Sequence, residues 1–131
     1  MDGDGDPDLL VEGARLWRND TKPSGRDDAA IRFTDVTAES GTSAGPGGGA
    51  VAADLDGDGD LDAVTTGGAV KIQAAPGRFR DEAAAWGLRL RKPMAAVGVG
   101  DVDGDGRPDV LFAGGEDWNG GNPVYFPRVL L

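Results

Sequence analysis

Three short stretches hold most of the chemistry this chain can offer. Residues 54–62 read DLDGDGDLD, residues 101–109 read DVDGDGRPD, and residues 2–8 read DGDGDPD, the same pattern without its first aspartate. Thirteen of the 19 aspartates fall inside them. The pattern D-x-D-G-D-G-x-x-D suits calcium, which takes about six to eight hard oxygen ligands in a flexible geometry. Carboxylates at loop positions 1, 3 and 5 converge if the backbone curls tightly, and glycines at 4 and 6 permit that curl by accepting positive φ. Position 7 offers a backbone carbonyl and position 9 a closing carboxylate. The middle loop then presents Asp54, Asp56, Asp58 and Asp62, with Asp60 giving its carbonyl. The last loop presents Asp101, Asp103, Asp105 and Asp109, with Arg107 at the carbonyl position. In the first loop Met1 stands at position 2, and Asp2, Asp4, Asp6 and Asp8 form a partial set. The expectation is two full Ca2+ sites and a weaker third, completed by water or another chain.

An EF-hand is the competing reading of such a loop, and it needs Glu at position 12. Position 12 is Thr65 in one loop and Phe112 in the other, both inside apolar runs with strand character. The flanks are therefore strands, and the loops are β-hairpin metal sites. Magnesium suits them less well, because it retains water and takes few carboxylates.

The elements that hold the loops repeat with them. Asp2, Asp56 and Asp103 align at intervals of about 50 residues, and FTDVTAESG from Phe33 returns as FRDEAAAWGL from Phe79. Each unit is expected to have four short strands. Strand A precedes the loop (48–55 and 95–102) and strand B follows it (8–11, 62–66 and 109–113). Strand C covers 15–19, 70–74 and 123–131, and strand D covers 31–37 and 78–84. Four strands per repeat of this length is the pattern of a β-propeller blade. The expected fold is all-β, a partial propeller of about two and a half four-stranded blades: a partial blade 1 at 1–40, blade 2 at 41–87 and a partial blade 3 at 88–131. So short an arc is expected to be a fragment of a longer chain, or one of several copies that complete a ring.

Composition narrows the function. The formal net charge is −10, yet once the 13 loop aspartates are set aside 13 basic residues face 10 acidic ones. The acidity is focused rather than diffuse, and it disfavours nucleic acid and anionic membranes as partners. No apolar run approaches the length of a bilayer span, so membrane insertion is not expected. Histidine and cysteine are absent, which removes the commonest general base, thiolate metal sites and cysteine nucleophiles. No G-x-S-x-G elbow occurs. The abundant carboxylates could suggest glycoside hydrolysis, but they are spaced for metal ligation. The chain is expected not to be an enzyme.

Among aromatic residues, Trp17, Tyr125 and Phe126 lie on strand C and are expected to pack between blades, and Trp86 to plug the core after strand D. The B–C connection of blade 3, GGEDWNGGNP at 114–123, is longer than its counterparts and carries Trp118, which could stack on a sugar or a partner.

Together the loops and the alternating FTDVTAESG segment resemble the FG-GAP (VCBS-type) repeats of integrin-alpha-like β-propellers, over nearly the whole chain. The resemblance implies a calcium-binding propeller and an extracellular, cell-surface or periplasmic location. It implies a binding or scaffold module with a protein or glycan ligand, and it specifies no catalytic residue. The alternatives are a lectin-like propeller and a self-assembling subunit that completes a ring or fibre. The partners are then calcium, that ligand, and remaining blades or further copies of the chain.

Overall fold

The computed structural model describes residues 1–22, 30–42, 48–90 and 92–114, with the backbone of 117–119, 122–124 and 128–130. Short runs of Val, Leu, Ala and aromatic residues between glycine-rich turns form short strands, because such side chains suit a pleated, half-buried surface. The first sheet has β1 (Leu9–Val11), β2 (Arg15–Asn19) and β3 (Phe33–Asp35), in that order. The second is a complete four-stranded meander of β4 (Ala50–Ala53), β5 (Asp62–Thr65), β6 (Val70–Ala75) and β7 (Arg78–Asp81). The third places β9 (Asp109–Ala113) between β8 (Ala96–Gly100) and β12 (Arg128–Leu130). All pairs are antiparallel, so the fold is all-β and built of blade-type meanders.

Register fixes which residues share a face. Val51 pairs with Val64, and Val64 with Val70, so one face of the second sheet is aliphatic. Val97 pairs with Phe112 and Val99 with Val110, giving the third sheet an apolar face of its own. These two faces meet in one core of Leu55, Val64, Val70, Ile72, Leu88, Val110 and Phe112, with Trp86 packed at its margin as a plug. The opposite face of the second sheet holds Ala52, Ala63 and Lys71. The Lys71 ammonium is buried and reaches Asp81 at 3.2 Å. On this side the second sheet meets the first, where β1 lies beside β4. Two backbone bonds join them, Gly77 N–H to the Met1 carbonyl at 2.9 Å and Gly13 N–H to the Gly48 carbonyl at 3.2 Å. The sheets thus stack in sequence, each offering one face to the next. The outward face of the first sheet leaves Leu9 and Val11 exposed, with Trp17 half-buried across from Leu9. Trp17 therefore does not lie between two described sheets.

Three strand expectations are corrected. Strand D of the first unit does not run over 31–37. It ends at Asp35, whose Oδ1 accepts the Thr37 N–H at 3.0 Å and turns the chain into a short helix α1 (Thr37–Ser40). Asp81 does the same with the Ala83 N–H at 3.0 Å, so strand D of the second unit stops at Asp81, short of 84. The repeated Phe-x-Asp segment is a strand exit, made by an aspartate that competes for the backbone. In the third unit, strand C is Arg128–Leu130 rather than 123–131. Residues 122–124 form β11 (Asn122–Val124), which pairs with β10 (Asp117–Asn119), Trp118 opposite Pro123. Only two residues separate Asn119 from Asn122, so the insertion closes on itself as a hairpin before strand C begins. The side chain of Trp118, and Tyr125 and Phe126, lie outside the described residues.

Candidate metal centres

The middle and last aspartate-rich loops are the turns of the β4–β5 and β8–β9 hairpins, and their shape comes from their own carboxylates binding their own amides. In the middle loop Asp54 accepts the Gly57 N–H at 2.8 Å and the Gly59 N–H at 3.1 Å. Asp56 accepts from Asp58 at 3.3 Å, and Asp58 from Asp60 at 2.9 Å. The last loop repeats this: Asp101 holds Gly104 at 2.7 Å and Gly106 at 2.9 Å, and Asp103 holds the Asp105 N–H at 3.0 Å. Gly57 and Gly59 sit at φ +81° and +92°, and a Cβ at either would meet nothing within 4 Å. Glycine is needed there for backbone conformation and not for space.

This curl brings carboxylates together. Oxygens of Asp54, Asp56 and Asp58 lie within 4.8 Å of one another, as do those of Asp101, Asp103 and Asp109. These are the two convergent sets among the described residues. Only hard anionic oxygens take part, and the spacing is short enough for one cation to touch all three, so each set could hold a metal ion. In the first loop Asp2 accepts from Asp4 at 3.2 Å and Asp4 from Asp6 at 2.9 Å, but no third set converges there.

The aspartate at position 9 has a second role that pattern matching does not reveal. Asp62 is fully buried and uses both oxygens, accepting the Leu55 N–H at 2.8 Å and the Gln73 N–H at 2.8 Å. It therefore closes the loop neck and ties it to β6. Asp109 accepts the Val102 N–H at 2.7 Å in the equivalent way. Asp8 accepts the Asn19 N–H at 2.9 Å, and the Met1 nitrogen lies 2.9 Å from its other oxygen, where Leu55 and Val102 stand in the other loops. Burial pushes Asp62 above the usual aspartate range; the charges of Asp56 and Asp58 add to this, and the two backbone bonds offset only part of it. At Asp8 burial acts the same way, but the Asn19 N–H and the Met1 ammonium outweigh it and hold the carboxyl below that range.

Position 7 separates the two complete loops. Asp60 is exposed and offers its N–H to Asp58. Arg107 offers its N–H to Asp105 at 2.8 Å, and its guanidinium also grips Asp105 through Nε at 2.8 Å and Nη2 at 2.5 Å. That grip holds Asp105 below the usual aspartate range. Asp105 is accordingly absent from the convergent set of its loop, whereas Asp58 belongs to its own. Of the residues singled out by spacing, the structure thus gathers Asp54, Asp56, Asp58, Asp101, Asp103 and Asp109. It assigns Asp62 to the loop neck and Asp105 to Arg107.

Residues 1–65 match the family described as FG-GAP-like repeat. No curated protein and no solved structure matches the chain. No helix among the described residues is long and apolar enough to cross a membrane.

Proposed function

Because the chain is an FG-GAP-like repeat protein, we propose that it is a calcium-stabilised binding or scaffold module working outside the cell. The observation that carries this reading is the convergence of Asp54, Asp56 and Asp58, repeated by Asp101, Asp103 and Asp109 on an equivalent hairpin. Calcium accepts such an all-oxygen, partly hydrated site, and the millimolar calcium outside cells suits exposed loops of this kind. When bound, the ion supplies positive charge where three carboxylates crowd together. The chain's own residues do the rest. Asp54 and Asp101 curl the loop, Asp62 and Asp109 close its neck, and the β4–β5 and β8–β9 hairpins hold the rim in place.

Contact with a protein or glycan partner is then made by a rim that calcium keeps rigid, and no catalytic step is assigned to it. Calorimetric titration of the full chain with calcium tests the reading. Binding that exceeds one ion per chain and is abolished jointly by Asp56→Ala and Asp103→Ala is expected. Absence of binding at millimolar calcium would overturn it.

A further inference from the structure

The two convergent loops share the backbone curl made by Asp54 and by Asp101, but at position 7 they carry opposite charges, Asp60 in one and Arg107 in the other. We propose that Arg107 acts as a tethered competing cation that lowers the calcium affinity of the 101–109 loop, so that the two loops fill in order, the middle one first. This rests on the calcium reading above. The backbone is not the source of the difference, because Asp60 N–H to Asp58 (2.9 Å) and Arg107 N–H to Asp105 (2.8 Å) are the same bond. The side chain is. Arg107 holds Asp105 through two guanidinium nitrogens, and Asp105 drops out of a convergent set in which its counterpart Asp58 remains. An incoming ion must draw Asp105 away from that fork or bind without it.

Charge acts in the same direction. Residues 54–62 hold five aspartates and no cation, whereas residues 101–109 hold four aspartates and Arg107. The loops therefore differ by two unit charges. One unit charge within several Å of a divalent ion changes its affinity by about threefold in water at physiological salt. Two of them separate the loops by about tenfold. Arg107 is 82% exposed, and exposed pairs are weak, so the guanidinium can swing into solvent when calcium arrives. It grades the site without closing it.

The test is a calcium titration of the full chain followed by amide NMR at Gly59 and Gly106, whose N–H groups bind Asp54 and Asp101. Gly59 is expected to reach its midpoint at about tenfold lower free calcium than Gly106. Arg107→Gln is expected to narrow that interval about threefold, and Asp60→Arg to close it by weakening the middle loop. Coincident midpoints in the unmodified chain, or an interval unchanged by Arg107→Gln, would overturn the grading and leave calcium binding intact. No response at either glycine would overturn both.

Discussion

Asp62 accepts the Gln73 N–H at 2.8 Å, joining the end of the middle loop, where β5 begins, to the neighbouring strand β6. Asp8 and Asn19 repeat this bond in the first sheet at 2.9 Å, across the same separation of 11 residues. The last aspartate of the loop is thus part of the frame before any metal is considered. Its contribution can be measured apart from calcium.

Asp62→Asn puts an amide NH2 opposite a backbone N–H whichever way the side chain is turned, because both oxygens accept such bonds. A buried donor left facing a donor costs roughly 1–3 kcal/mol. Relief of the repulsion from Asp56 and Asp58 offsets a part. Urea unfolding in EDTA should show a loss of about 2 kcal/mol for Asp62→Asn. For exposed Asp58→Asn the change should stay within about 0.5 kcal/mol. Equal losses would contradict the neck role.

Calcium should raise the melting temperature relative to EDTA. A ligand that binds only the folded chain adds about 2.7 kcal/mol at a hundredfold excess over Kd. For a chain of this size that is a shift of about 10 °C per filled site. Asp56→Ala should remove the share of the middle loop. Asp60→Ala should keep most of it, since the carbonyl survives. Superimposable melts with and without calcium would refute the claim.

In EDTA, Asp8 and Asp62 should respond to pH in opposite senses. The Asp62 carboxyl is raised, first by burial, so its ionisation opposes folding. Its contribution is present below the usual aspartate value and is lost as pH rises through its own midpoint. Asp8 is lowered, so its contribution is present above the usual value and is lost as pH falls through its midpoint. Carboxyl carbon shifts in a pH titration would place Asp62 above the usual midpoint and Asp8 below it. The reverse order would count against burial as the dominant influence on Asp62 and against the Asn19 and Met1 contacts as the dominant influence on Asp8.

Phe112 is fully buried where the second and third sheets meet. Truncation to Ala should cost about 3–5 kcal/mol in denaturant at saturating calcium. Leu9→Ala, on the exposed outward face, should cost less than about 1 kcal/mol. Similar losses at the two positions would mean that the sheets do not stack through Phe112.

Much of this was legible in the residues. Gly57 and Gly59 in their fixed places announce a tight curl, and the runs DAVTT and DVLFA announce strands, because each rests on a property of the side chain or of its absence. The exit from strand D is half-legible: Asp35 and Asp81 recur 46 residues apart, but the donors they meet are main-chain N–H groups. The hairpin at 117–124 is not legible in the sequence, because its residues carry no clear alternation and Pro123 fits equally well as a strand start.

From residue types and spacing alone follow the repeat, the all-β meander, and the crowding of aspartates in three loops, two of them hairpin turns. These depend on local backbone preference and on like charges close along the chain. Folding alone decides which carboxylates meet. Asp62 goes to the neck because the Gln73 N–H arrives from another strand, and every residue but proline offers the same N–H. Asp105 turns away because a guanidinium two residues on can reach it and the exposed loop leaves room to do so. Neither competition is written in the spacing, since both depend on distances that exist only once the strands have paired.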